Sequence, residues 1–453
     1  MNKHLLLMTG ITMLSFVSGC VSFDAREARQ NQTDEFIQEL KQKEASLLAK
    51  PLTLDICIAT AMTNNYEVRL AALDTELGQV ARNLSFSAFL PQVTMAAGYT
   101  AYNKDPVTSS KSFEHGSVDV ALPIIAPTSW YLFDAVKHNV EAAKLAESYV
   151  RQAITLDITS RYFEVLIQEQ LVVAIEAQLH AAKVENDRID GLFKEGFVRE
   201  WERNQAAAML SERSYALEEA RNQLRITKAK FLEAMGLNPL SEFSLDKNVV
   251  LAQMPSGSIE ELVIKALEQH PELAIADRQV VIKENEVRQA FCEFIPVVSL
   301  FTSFSFTGNE VGNPPSSNLA YGFDAAWSVF KGFYNTANYK RSKLERKRSE
   351  YEREKTFLSI ITRVVAAEAA VREAHNSCEL AKSQLAVAKA KSEDYAARAG
   401  EGLIKYSDSL DARAELYAAE VANVRASFAE QIAIENLRYV MGENSEKINN
   451  TLE

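Results

Sequence analysis

Few residues in this chain can do chemistry. Its histidines lie at 4, 115, 138, 180, 270 and 375, and no two have the spacing of metal ligands. No phosphate loop, dinucleotide fingerprint, H-E-x-x-H run or nucleophile elbow occurs, so neither an enzyme nor a cofactor is expected. One cysteine stands apart. Cys20 closes the run Val17-Ser18-Gly19-Cys20, after a start that carries Lys3 and an apolar stretch from Leu5 to Val17. That tetrapeptide resembles the bacterial lipobox, in which the cysteine becomes the lipidated first residue of the mature chain. Residues 1–19 are then a signal peptide; the alternative is an ordinary signal peptide with an incidental cysteine. The apolar run is shorter than the roughly 20 residues a membrane-spanning helix needs. By resemblance to sorted lipoproteins, Val21 rather than Asp after the cysteine favours the outer membrane.

The other cysteines, Cys57, Cys292 and Cys378, are scattered and lack C-x-x-C spacing, so they read as buried small apolar residues. A net charge of −12 and a pI near 5.3 argue against nucleic acid as a partner, because phosphate binding needs a basic face. After the signal no run of 18 uncharged apolar residues occurs. A membrane crossing would therefore have to be made by strands.

The elements that could do so are written twice. Leu90-Pro91-Gln92-Val93 returns as Ile295-Pro296-Val297-Val298, 205 residues on, with Ala61 answering Ala266, Glu67 answering Glu272, Phe86 answering Phe291 and Asp119 answering Asp324. Lys194 to Phe197 and Met235-Gly236 return 206 residues on, as Gly400 to Leu403 and Met441-Gly442. Solenoid units run to about 20–50 residues, so this is two copies of one large unit. The divisions are a lipid-anchored tether over 20–51, a first repeat over 52–236, a linker over 237–257, a second repeat over 258–442 and a tail over 443–453.

Helical spacing of apolar residues predicts a first helix over about 53–88, ended by Pro91. Period-two alternation then predicts strands over 92–102 and 117–125, and over 297–306 and 319–330 in the second copy, each pair forming a hairpin. Proline-free helical stretches over 129–194 and 335–399 follow, far longer than the usual 11–12 residues, which implies coiled-coil packing. Ala381, Leu385, Ala388, Ser392, Tyr395 and Ala399 mark one seam. Turns at Gly196 and Gly402 reverse the long helices. The basic run Lys340 to Lys355, interleaved with glutamates, reads as a salt-bridged helix face.

Phe, Tyr, Trp, Val and Leu on one strand face, with Asp, Ser, Gly and Thr on the other, is the lipid-out, water-in pattern of a membrane β-barrel. A soluble sheet with one buried face has the same period. Four strands cannot close a membrane barrel, whose smallest form has about eight. Two chains would supply eight strands, three chains twelve and room for a pore.

Taken in order, the lipobox, the Pro91- and Pro296-led strands, the duplication and the helix-reversing turns resemble the TolC-type outer membrane efflux and secretion channels, of the lipoprotein subgroup. The resemblance runs from Cys20 to about Gly442. It implies a mostly α chain with membrane β-hairpins, assembled as a homotrimer with a 12-stranded β-barrel continued by an α-helical barrel. It also implies a passive conduit that docks, through a periplasmic adaptor, onto an inner-membrane transporter. The run from Gly402 to Ala412 is similar to the family's periplasmic tip. On that match Asp408 and Asp411, one helical turn apart, line the narrowest point as stacked carboxylate rings, and Glu202 takes the place of a gate-locking acid. Ala399 and Ile404 stand where an aromatic and a basic latch residue can occur. Asp408 could instead be a helix-start carboxylate favoured by the macrodipole. The alternatives for the whole chain are a periplasmic coiled-coil adaptor or a scaffold lipoprotein without a pore.

Overall fold

A computed structural model describes residues 24–44, 47–48, 50–104, 112–247, 254–308, 315–401 and 403–443. Cys20 and its signal, Gly402 and the Asp105-Pro106 loop lie outside the described residues.

Helix α1 spans Ala25–Glu44, so the segment read as a plain tether carries a helix of its own. The first repeat then runs through α2 (Leu54–Asn64), α3 (Tyr66–Phe86), β1 (Gln92–Ala101), β2 (Ser112–Ile125), α4 (Pro127–Lys194) and α5 (Glu200–Ala234). The second repeats the order with α6 (Ile259–Gln269), α7 (Pro271–Cys292), β3 (Val297–Thr307), β4 (Ser316–Ala326), α8 (Tyr334–Gly400) and α9 (Tyr406–Met441). At 1.5 Å per residue, α4 and α8 are each roughly 100 Å long.

The helix expected over 53–88 is two helices. Asn65 breaks it: its side-chain oxygen accepts from the amides of Glu67 and Val68 at 2.8 and 3.3 Å, capping α3, while its amide donates to the Ala234 carbonyl at 2.7 Å. His270 does the same for α7, its Nδ1 accepting from the Glu272 amide, with Pro271 opening the helix. Against these breaks sit the glycines that end each repeat. Gly236 (φ 70°) and Gly442 (φ 75°) are left-handed, and a Cβ on Gly236 would lie 2.4 Å from the Asn64 carbonyl oxygen. The ends share one hydrogen-bond pattern: Leu237 amide to Leu232 carbonyl at 2.9 Å, and Glu443 amide to Arg438 carbonyl at 3.1 Å.

Each repeat has its own apolar core, and the two are copies. Ile154, Ile158, Phe231 and Met235 in the first correspond to Ile360, Val364, Leu437 and Met441 in the second, all buried. Ala61 and Ala266 are both fully buried. Phe163 stacked on Phe428, ring centroids 4.8 Å apart, joins the two repeats. Residues 237–247 pack onto the first repeat. Leu237, Phe243 and Leu245 enter the first core, and Leu245 bridges to Leu52 as a parallel β contact. The Tyr162 hydroxyl lies 2.5 Å from the Asp246 carbonyl and 3.1 Å from that of Leu52, locking this junction, and burial raises its pKa.

The coiled-coil expectation for α8 agrees with its packing: Ala381 and Ser392 are buried, Leu385, Ala388, Tyr395 and Ala399 half-buried, and nearly all intervening residues exposed. Its basic run is paired along the helix, as in Arg346–Glu350 at 3.2 Å and Arg348–Glu352 at 2.9 Å. Cys57, Cys292 and Cys378 are buried and free, and burial pushes the Cys57 thiol up to about 12.

Candidate functional site

The four strands form one antiparallel sheet in the order β1-β2-β3-β4, leaving the outer edges of β1 and β4 without a strand partner among the described residues. Pro91 and Pro296 each stand one residue before a strand. Strand limits differ from expectation at two places. β2 begins at Ser112 because Ala101, the last residue of β1, pairs with it. β4 stops at Ala326, opposite Val297; beyond lies Pro296, so Trp327 and Val329 have no ladder to join.

The register sorts most side chains by face, with Phe301 and Thr302 as exceptions. Val93 and Met95 pair with Val120 and Val118; Val118 pairs with Phe304, and Leu122 with Leu300. Phe304 and Leu300 in turn pair with Leu319 and Phe323. One face is thus apolar across all four strands, and Met95, Tyr321 and Phe323 are over three-quarters exposed on it. The other face carries Thr94, Ser117, Asp119, Ser303, Ser305, Asn318 and Asp324. Asp119 accepts from the Ser117 hydroxyl at 2.7 Å and from that of Ser303 at 2.5 Å, so the polar face is internally bonded. A water-soluble sheet would cover its apolar face with the protein's own core; here that face is bare.

The second region is the far end of the two helical hairpins. Gly196 takes φ 82°, and the Phe197 amide donates to the Leu192 carbonyl at 2.9 Å, closing the first turn. Leu403 to Arg398 at 2.9 Å is the copy of that bond in the second turn. The Arg203 guanidinium sits 4.4 Å from the Phe193 ring centre and clamps the first turn across its base.

Asp408 and Asp411 are both exposed, one turn apart at the start of α9. Partial burial, then the nearby carboxylates of Asp408, Glu185 and Glu415, raise the pKa of Asp411, and Lys391 opposes them. Lys391 crosses from α8 to bond Glu415 of α9 at 2.5 Å. Glu185 belongs to the other hairpin, on α4, so acids from both hairpins converge near Asp411. Glu202 acts locally, its carboxylate accepting from the Arg199 amide at 2.7 Å and fixing the start of α5. Glu185, Glu415 and Lys391 were not singled out by sequence. Lys391 and Glu415 could have been, since they lie equally far from the turn in an antiparallel hairpin.

No helix among the described residues is long and apolar enough to cross a membrane, and no group of His, Cys, Asp or Glu among them could hold a metal ion.

Comparison with known proteins bears on both regions. Residues 262–443, nearly the whole second repeat, match the family model "Outer membrane efflux protein". "Outer membrane protein TolC" of Vibrio cholerae is 21% identical over 395 residues, covering 85% of this chain and 90% of its own. Among solved structures, the Campylobacter jejuni CmeC outer membrane channel superposes with a TM-score of 0.75 at 18% identity, over 88% of each chain. The open state of the Neisseria gonorrhoeae MtrE outer membrane channel gives 0.71 at 17% identity, over 86% of this chain and 88% of its own.

Proposed function

We infer that this chain, a TolC-type member of the outer membrane efflux protein family, is the outer membrane channel of an efflux or type I secretion system. The observation that carries the reading is the four-stranded sheet with one bare apolar face, one hydrogen-bonded polar face and two edges without a strand partner among the described residues. In lipid, each unpaired edge group costs several kcal/mol, so the sheet closes with copies of itself. Three chains give twelve strands, an interior wide enough for water and a polar face turned inward. The paired helices, roughly 100 Å long, continue that tube into the periplasm, where the tip meets an adaptor and, through it, an inner-membrane transporter. Asp408 and Asp411 from three chains then ring the constriction, with Glu202 and the turns at Gly196 and Gly402 shaping its rim.

Cys20 adds a lipid anchor to this barrel. The barrel's strands, whose backbone groups are all paired within the sheet, hold the protein in the membrane independently of that lipid. The Cys20→Ser protein, given a cleavable signal, should lose its acyl chains and still fractionate with the outer membrane. Its complete release into the soluble fraction would contradict a barrel and favour a lipid-tethered adaptor or scaffold.

A further inference from the structure

We propose that His270 and the side chains around it form an acid-released clasp between the two repeats: the neutral imidazole holds the start of α7 in place, and its protonation undoes the joint. His270 is 2% exposed and stands between α6 and α7. Helices of both repeats meet around it, with Glu272 from α7, Arg363 from α8, Tyr149 from α4 and Tyr439 from α9. Arg363 pairs with Glu272 at 2.5 Å and also bonds the Tyr149 hydroxyl. The Tyr149 ring centre lies 5.7 Å from that of the imidazole and 5.5 Å from that of Tyr439, on which it stacks. Gly442, at the end of α9, closes on the same point. A Cβ there would lie 3.2 Å from the His270 Cα.

The hydrogen bonding fixes the protonation state. Nδ1 accepts from the Glu272 amide at 3.2 Å, so it bears a lone pair and the ring's one proton is on Nε2. Nε2 is buried and has no hydrogen-bond partner among the described residues. A second proton can go only onto Nδ1. It removes the acceptor that caps α7. It also sets an imidazolium against the positive end of the α7 dipole and near the Arg363 guanidinium, in a buried site. Glu272 is the one carboxylate acting on the ring, and Arg363 already engages it. Among the described residues no other charged group acts on His270, and α4 and α9 offer only the uncharged phenols of Tyr149 and Tyr439. Burial first, then Arg363, push the imidazole pKa down to about 4, with Glu272 opposing.

The duplication shows that the fold does not require a titratable cap. Asn65 holds the same place in the first repeat, capping α3 with its oxygen and tying down the Ala234 carbonyl with its amide. An asparagine does not titrate. Where α8 has Arg363, α4 has Asp157, bonded to Arg161 along the helix at 2.7 Å, so the first joint also lacks the cation. Acid sensitivity belongs to the second joint alone.

Linkage sets the direction and the window. An opened joint takes up its proton near the ordinary histidine value of about 6.5, the closed joint only near 4. The clasp is therefore fully fastened above about pH 6.5 and loses stability as the pH falls from there. Between those values acid favours opening by up to about tenfold for each pH unit, and below the lower one the effect levels off.

The test uses the full-length, detergent-purified protein, with amide hydrogen exchange followed across α6 and α7 as the pH is lowered. His270→Asn gives this joint the cap of the first repeat and removes the titrating group. Comparing the two proteins at each pH cancels the chemical exchange rate. Protection over 259–280 in the wild type should fall relative to the variant by up to about tenfold per pH unit below about 6.5. The stretch around Asn65 should behave alike in both. Packing lost against Tyr149 shifts the variant equally at every pH, so the slope and not the level decides. Arg363→Gln gives a second reading: without the guanidinium the closed joint takes its proton at higher pH, and the fall should level off sooner. Equal slopes in the wild type and His270→Asn overturn the clasp, as does a wild-type profile that Arg363→Gln leaves unaltered.

Discussion

Tyr321→Arg should cripple insertion of this protein, while Ala320→Arg, one residue earlier, should be tolerated. Tyr321 lies mid-strand on the apolar face of β4, 80% exposed, whereas Ala320 points to the polar face opposite Ser303. An arginine facing lipid near the bilayer midplane costs about 2–4 kcal/mol, and a threefold assembly bears that cost three times. Facing the water-filled lumen, the same side chain stays hydrated. Urea titration of the protein refolded into lipid vesicles checks this. The Tyr321→Arg protein should unfold at markedly lower denaturant or fail to insert, and the Ala320→Arg protein should track the wild type. Equal behaviour of the two would mean that the faces do not see different solvents.

The second large effect is expected at the tip. The double change Asp408→Ala, Asp411→Ala should raise single-channel conductance, weaken cation selectivity and reduce block by multivalent cations. Rings of carboxylates attract cations and exclude anions, and like charges held close raise one another's pKa. Asp411 is already raised by partial burial and by Asp408, Glu185 and Glu415 within one chain. Acidification should therefore begin to erode cation selectivity above the ordinary aspartate range, as the ring takes up protons and loses charge. If Asp408 serves only to favour the α9 start, its removal costs about 0.3–1 kcal/mol of stability and leaves selectivity unchanged.

Much of this architecture was legible in the chain. Helical and strand periods located the long hairpins and the sheet, because a duplicated pattern states each signal twice. Pro91 and Pro296 fixed the strand starts. The breaks at Asn65 and His270 were harder to see, since helical apolar spacing continues across them on both sides. They exist because Asn65 must cap α3 and hold the Ala234 carbonyl, a contact 169 residues away. The far end of β4 was overextended, because Trp327 and Val329 keep the strand alternation after the partner strand has ended. The helix at Ala25–Glu44 was hidden by its polarity, which offers no apolar stripe to read. Glu185 near Asp411 was not legible, for it depends on how the two hairpins lie side by side.

Everything above turns on copies of this chain enclosing a pore. Purified wild-type oligomer added to a planar lipid bilayer tests that most directly. Discrete conductance steps that favour cations, and that grow larger when Asp408 and Asp411 are both replaced by alanine, are the predicted result. An assembled protein that gives no steps, even with both tip aspartates replaced, would contradict it.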